Sequence, residues 1–275
     1  MDWSELLFYS VLVLYLIGSG GHICGILTRK ERPRLVGGVV SGAGFALHGL
    51  SLALQLVHEP TVARGGFYLS LFSWSVLLIL FILWARLRMS FLGLIATPLA
   101  LVLLLASQAA TSAPLAPLPL PPALPGLFFG LHIGTLFASL GLMAMACAAG
   151  IGYLKLERRI KSKEKLTGAW AALPSLDKLD SANRLAVTIG FPLYTLGLVS
   201  GFLWAGLTWK RYFSWDPKEV VAVLIWLLFA YLFHQRVALG WRGRKTAWLA
   251  IWVFGLSLAS MFLINFFVKT HHSFT

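Results

Sequence analysis

Residues 204–219 read WAGLTWKRYFSWDPKE, and this stretch decides how the rest of the chain is interpreted. It lies between two apolar runs, near 185–205 and 218–239, each close to the roughly 20 residues that a bilayer-spanning helix requires. The stretch is therefore predicted to be a loop at a membrane surface. A plain surface loop has little use for three tryptophans and the Tyr212–Phe213 pair, so a further role is expected.

Two explanations of this loop follow from its residues. Trp and Tyr gather at membrane interfaces because their rings suit the headgroup zone. Asp216, Pro217 and Glu219 have the types and spacing of a helix N-cap, a first helical residue and a capping-box partner. The cap accounts for the end of the stretch but leaves the aromatic residues before it unexplained.

The second explanation is a ligand. An aromatic platform beside cations suits a flat, apolar molecule with carboxylates, because rings stack on its plane and cations pair with its acids. Haem has that chemistry. The residues predicted to surround it are the aromatic and charged members of the stretch, namely Trp204, Trp209, Tyr212, Phe213, Trp215, Asp216, Lys210, Arg211 and Lys218.

The composition is that of a membrane protein. Of the 275 residues, 58% are hydrophobic and 12% are charged, and the mean hydropathy is +0.80, far outside soluble globular usage. We therefore expect an all-α, polytopic membrane protein in which residues 1–275 form a single transmembrane domain. Eight apolar runs have about the length of a spanning helix, and they fall near 6–27, 35–57, 66–85, 91–110, 126–154, 185–205, 218–239 and 246–268.

The distribution of charge predicts the orientation of these helices. Most of the 23 Lys and Arg residues fall in alternate loops, after the first, third, fifth and seventh helices. By the positive-inside rule those loops face the cytoplasm, so both termini and the aromatic loop lie outside the cytoplasmic (inner) membrane. This placement, and not nucleic-acid binding, accounts for the formal charge of +13. The opposite side holds only Arg64, Lys210, Arg211, Lys218 and Lys269.

The first two helices carry small residues at the spacing that lets membrane helices approach closely. Residues 18–25 read GSGGHICG and residues 37–44 read GGVVSGAG. Packing is the expected role of these glycines, and His22 is expected to be structural. The two cysteines lie in apolar runs outside any C-x-x-C or C-x-x-C-H motif, so no covalent haem attachment site is predicted.

His48 lies near the middle of the second helix. An ionisable group at that depth is costly and usually has a partner. The residues alone leave two possibilities open: a neutral imidazole bonded to a neighbouring helix, or a ligand of a bound group.

The stretch 204–219 resembles the tryptophan-rich WWD signature of the haem-handling proteins of cytochrome c maturation, and most closely the CcsA branch with its HemX-like relatives. Residues 190–197, GFPLYTLG, are also CcsA-like, and residues 265–275, NFFVKTHHSFT, resemble the end of that family. The resemblance covers 126–275 well and 40–85 loosely. Lys210 departs from the family's usual glycine, and Phe213 stands where the family often has tryptophan.

The resemblance implies two pairs of haem-ligating histidines. The external pair is His132, just inside the outer end of the fifth helix, and His272. The family's asparagine-to-histidine spacing, counted from Asn265, selects His272 rather than His271, and Asn265 itself belongs to the implied binding site. The implied pair within the membrane is His48 and His234.

The implied cofactor is haem b, held by histidine pairs. The implied function is a membrane haem-binding protein that transports or presents haem to the outer face for cytochrome c assembly. It is not expected to be an enzyme by itself, although it fits the CcsA-type subunit of a haem lyase. The implied partners are membrane lipid, a ResB/CcsB-like membrane protein and apocytochrome c, with no nucleic acid.

Two other functions stay open at the level of sequence. A HemX-like regulator of haem synthesis has the same features as a haem-delivery protein. A di-haem electron carrier usually pairs histidines about two or four turns apart on one helix, a spacing absent among the candidate ligands here. An ATP-driven transporter is not expected, because the sequence holds no G-x-x-x-x-G-K-[ST] motif.

Overall fold

The computed structural model describes residues 3–28, 30–58, 65–87, 92–109, 129–167 and 173–267, and all regular structure in these ranges is helical, as predicted. A π-helical turn at Phe129–Gly134 leads directly into the fifth α-helix. The α-helices are α1 (Trp3–Leu27), α2 (Glu31–His58), α3 (Gly65–Leu87), α4 (Gly93–Ala109), α5 (Thr135–Lys161), α6 (Leu176–Trp209), α7 (Pro217–Val237) and α8 (Arg244–Phe267).

Among the described residues, five helices are long and apolar enough to cross a bilayer: α1, α2, α5, α6 and α7. The helices α3 and α4 contain shorter apolar stretches, Leu69–Ala85 and Ala96–Gln108. The chain is thus a multi-pass membrane protein, while eight spans, termini outside and a single domain stay predictions. We call the ends of the helices that meet the predicted cytoplasmic loops the basic side, and the opposite ends the aromatic side.

The small residues of α1 and α2 bring the two backbones into contact. A Cβ added to Gly21 would lie 2.7 Å from the Cα of Gly37, and one added to Gly18 would overlap Ser41 Oγ. Residues later in α1 contact residues earlier in α2, so the two helices are antiparallel. The predicted close packing is confirmed.

The helix α5 connects α1–α4 to the later helices, because it packs against α3 as well as α6 and α8. Phe137 of α5 meets Phe72 of α3 with ring centroids 5.6 Å apart. The hydroxyl of Ser139 donates to the Gly190 carbonyl of α6 at 2.8 Å. These contacts position α6, and with it the loop that follows α6, relative to α1–α4.

A buried ion pair ties the ends of α6, α7 and α8 on the basic side. Arg236 lies in the last turn of α7 and is only 2% exposed. Its Nη1 donates to Asp180 Oδ1 at 2.9 Å and to Thr246 Oγ1 at 3.1 Å. The N–H of Gly243 donates to the same carboxylate oxygen at 2.7 Å.

Removing the carboxylate is expected to destabilise the bundle. Asp180→Ala leaves the Arg236 charge buried without its partner, and breaking such a pair costs about 3 kcal/mol or more. Asp177→Ala, which removes an exposed carboxylate one turn earlier on the same helix, is the matched control. Thermal unfolding in detergent should show a large drop in midpoint for the first variant and a small one for the second. Equal midpoints would show that the pair does not stabilise this end.

Candidate functional site

The stretch 204–219 is divided between two helices and a short connection. Trp204 lies in the last turns of α6, half-buried, and the helix continues to Trp209, whose side chain lies outside the described part of the chain. The helix ends because Lys210 adopts a left-handed conformation with φ 58°. Only residues 210–216, which we call the aromatic loop, lie between helices, so the predicted loop is shorter than expected.

The end of the aromatic loop is fixed by two carboxylates. Asp216 is the N-cap of α7, as predicted, and its Oδ1 accepts the Lys218 N–H at 2.9 Å. The Glu219 carboxylate reaches back to Ser214, whose N–H and hydroxyl donate to it at 2.7 and 3.0 Å. Residues on both sides of Trp215 are therefore held in place.

Trp215 has an unusual backbone. Its φ is 60°, in the left-handed region, where a bulky residue costs on the order of 1–3 kcal/mol. The hydrogen bonds at Ser214 and Asp216 hold this conformation, and Trp215 is 79% exposed. Such strain accumulates at binding and catalytic sites, so the exposed ring is a candidate contact for a ligand.

The other aromatic residues support and extend this surface. The Phe213 ring packs edge-on between Trp215 and Phe202 of α6, with centroids 5.1 and 5.8 Å away. The Tyr212 ring lies over Gly206, where any side chain would collide with it, and its outer part is exposed. Arg211, beside Tyr212, is also exposed. The loop thus presents aromatic rings and a guanidinium on the aromatic side.

His132 is held firmly near this loop. It lies in the π-helical turn Phe129–Gly134, and π-helical turns occur frequently at functional sites. Its Nδ1 lies 2.7 Å from the Gly197 carbonyl oxygen of α6. A carbonyl only accepts, so Nδ1 carries the proton, and in the neutral imidazole the lone pair is on Nε2. The ring is pressed against Gly201, where an added Cβ would lie 2.5 Å from Cε1.

The depth of His132 can be compared with that of the loop. Gly201 lies nine residues before Lys210, which corresponds to ~13 Å along the helix axis. His132 and the aromatic loop therefore belong to the same end of α6, as the sequence predicted from helix direction.

His48 is enclosed between α1 and α3. It is 2% exposed, with Nδ1 2.9 Å from the hydroxyl of Tyr15 and Nε2 2.8 Å from the hydroxyl of Ser70. The sequence left open a hydrogen-bonded imidazole or a ligand, and both ring nitrogens have hydrogen-bond partners here. Neither Tyr15 nor Ser70 was predicted from the sequence as a partner of His48. The signal that could have found them is a side-chain hydroxyl at a buried position of an apolar helix.

His234 lies elsewhere in the bundle. It is exposed in the last turns of α7, which packs on α6 and α8, whereas α2 packs on α1 and α3. Counting from the aromatic ends of their helices, His234 lies ~25 Å deep and His48 ~15 Å deep. The two histidines lie on helices with different packing partners, and their pairing stays a prediction.

The remaining predicted site residues are not placed. His271 and His272 lie outside the described residues, as does the proline-rich stretch 111–125. Asn265 belongs to α8, but its side chain is not among those described. Pairing of His132 with His272 stays a prediction.

The fold and the site define a class: a multi-pass helical membrane protein with an aromatic loop at one surface and histidines at several depths. A sequence profile described as "Cytochrome C assembly protein" matches residues 65–272. The chain belongs to this cytochrome c assembly family.

Relatives named "Cytochrome c biogenesis protein CcsA" match over different lengths. The protein of Guillardia theta is 26% identical over 99% of this chain and 90% of its own length. That of Chlorella vulgaris is 30% identical over 78% of this chain and 80% of its own length. That of Synechococcus sp. (strain JA-2-3B'a(2-13)) is 40% identical, but the match spans only 38% of this chain and 30% of that protein.

A solved structure shares the fold. "Cytochrome c Heme Lyase CcmF" superposes with a TM-score of 0.64 at 18% identity, covering 94% of this chain. This chain spans 46% of that protein, so the helical arrangement described above corresponds to less than half of the larger chain.

The left-handed conformation of Lys210, at the start of the aromatic loop, leads to a prediction about stability. A non-glycine residue in this conformation costs roughly 1–2 kcal/mol, so Lys210→Gly is expected to raise the free energy of unfolding by about 1 kcal/mol. Lys178→Gly, in the first turn of α6, is the control with the opposite sign, since glycine costs about 1 kcal/mol inside a helix. Thermal melting compares them, and a lower midpoint for Lys210→Gly would contradict the backbone assignment.

Proposed function

We propose that the chain binds haem b and presents it on the aromatic side of the inner membrane, where it is used for cytochrome c assembly. The observation that carries this proposal is the oriented imidazole of His132 at the same end of α6 as an exposed aromatic loop. Histidine ligates haem iron, aromatic rings stack on the macrocycle, and a guanidinium pairs with propionates.

The surroundings of His132 suit an axial ligand. Histidines that ligate iron usually donate the other ring N–H to a carbonyl or carboxylate, which orients the ring and raises the basicity of the ligating nitrogen. The bond from Nδ1 to the Gly197 carbonyl has this arrangement. Tyr212, Trp215 and Arg211 would contact the ring and its propionates, and His272 is proposed as the second axial ligand.

His48 and His234 are proposed as ligands at the membrane level. For His48 to bind iron, one ring nitrogen must release its hydroxyl partner, Tyr15 or Ser70, while the other bond continues to orient the ring. His234 is exposed on α7, which packs on α6 and α8, so a haem shared with His48 would lie between α7 and α2.

The proposed role is presentation of haem to other proteins. Attachment of haem to apocytochrome c would then use a ResB/CcsB-like membrane partner, with this chain as the CcsA-type subunit. Family membership and the CcmF-like fold support this assignment over an electron carrier. A regulator of haem synthesis would bind haem without passing it on, so haem transfer to apocytochrome c in the presence of the partner is the discriminating assay.

Removal of the proposed outer ligands is expected to lower haem content. Protein purified from haem-replete cells should carry haem b that acidic organic solvent extracts. His132→Ala and His272→Ala should each reduce haem per protein and its low-spin absorbance, while His271→Ala changes little. Gly201→Ala should act like His132→Ala, because its Cβ displaces the imidazole, whereas Gly255→Ala faces open space. A colourless wild-type protein that gains no Soret band with added haem would overturn the proposal.

The proposed membrane ligands are tested by comparing which of the two haem sites each variant empties. If haem arrives through the His48 level, His48→Ala and His234→Ala should deplete both sites, and His132→Ala only the outer one. Tyr15→Phe removes one hydroxyl from His48 without removing the imidazole, so it should alter the spectrum of the membrane haem while retaining most of the haem. A full, low-spin outer haem in the His48 and His234 variants would return both histidines to a structural role.

A further inference from the structure

A second polar cluster lies near the basic side, where α1, α2 and α4 meet. His22 is 5% exposed. Two buried atoms near this end of the bundle have no hydrogen-bond partner among the described residues: His22 Nε2 and Arg34 Nε. A buried polar atom without a partner costs about 1–3 kcal/mol, so two such atoms on neighbouring helices indicate a ligand.

The imidazole of His22 faces the start of a helix. A Cβ added to Gly93, the first residue of α4, would lie 2.5 Å from Cε1 and 2.7 Å from Nε2 of that ring. The first turn of a helix leaves N–H donors without intrahelical partners and carries the positive end of the helix dipole. The unpartnered Nε2 therefore lies at a place that favours negative charge.

Arg34 adds a guanidinium to the same region. Its backbone packs on Gly25, three residues after His22 on α1, where an added Cβ would lie 2.8 Å from the Arg34 nitrogen. The side chain is half-buried, and its Nε is enclosed. A guanidinium, an imidazole and a helix N-terminus thus share one corner of the bundle, which we call the α1–α2–α4 site.

All of these groups can donate hydrogen bonds to an oxyanion. Helix N-termini bind phosphate, and arginine pairs with phosphate oxygens. His22 and Arg34 lie about 8 and 5 Å from the ends of their helices, a depth near the lipid headgroups. Basic pockets between spanning helices on the cytoplasmic side are known to bind anionic lipid headgroups.

We propose that the α1–α2–α4 site binds the phosphate of an anionic phospholipid from the leaflet on the basic side. His22 and Arg34 lie before residue 65, where the match to the family profile begins, so the profile does not cover these two residues. The bound headgroup joins α4 to the α1–α2 pair. The proposal is independent of haem binding.

The test measures lipid retained by the full chain. Wild-type protein in nanodiscs of phosphatidylcholine with phosphatidylglycerol should retain phosphatidylglycerol preferentially in native mass spectrometry. His22→Phe and Arg34→Gln should lower that retention about tenfold, as expected for loss of a hydrogen bond to a charged group. The controls are Arg32→Gln, an exposed basic residue of the same turn, and His58→Gln, an exposed histidine at the opposite end of α2. Both should bind as wild type.

Three results would overturn the proposal. The first is equal retention of phosphatidylglycerol by wild type and both site variants. The second is competition by inorganic phosphate, which would make the ligand a free ion instead of a lipid. The third concerns folding: if His22→Phe and Arg34→Gln melt far below wild type in phosphatidylcholine alone, the residues serve packing. Partial recovery of retention in Arg34→Lys would support the proposal, because that variant keeps the charge.

Discussion

The antiparallel contact between α5 and α6 is the constraint on which the rest of the structure depends. It begins at His132, whose Nδ1 donates to the Gly197 carbonyl, and continues through the hydroxyl of Ser139 to the Gly190 carbonyl. Further along, the amide of Asn183 donates to the Ala146 carbonyl at 3.1 Å. Because backbone carbonyls accept each of these bonds, the register of the two helices fixes the position of His132 relative to the end of α6.

That register determines what the aromatic loop can do. The loop follows α6 directly, so its distance from His132 is set by the helix and not by its own flexibility. At the other end the Asp216 cap and the bonds from Ser214 to Glu219 hold Trp215 in a costly conformation with its indole exposed. The Trp215 ring is exposed, and its strained backbone is fixed by hydrogen bonds on both sides. It can therefore contact a ligand without first having to become ordered.

The sequence predicted the elements that depend on local or periodic signals. Helical content, the close approach of Gly21 to Gly37 and the Asp216 cap all follow from residue type and spacing, and the structure has them. The burial of Arg236 was missed because its partner Asp180 lies 56 residues away in the chain. The partners of His48 were missed for the same reason, since they lie on two other helices. Lys210 stands where the family usually has glycine, and the reason for that glycine became clear only from the left-handed φ of this residue.

The two kinds of histidine environment differ in a way that bears on the proposed haem path. His132 donates to a backbone carbonyl, which cannot rotate away while α6 keeps its register. His48 is bonded on both nitrogens to hydroxyls, and a hydroxyl can turn to another acceptor at the cost of one hydrogen bond. An imidazole fixed by a carbonyl suits a site that holds its ligand in one orientation for a partner. An imidazole between hydroxyls suits a site from which the ligand is later released, which is the role proposed for the His48 level.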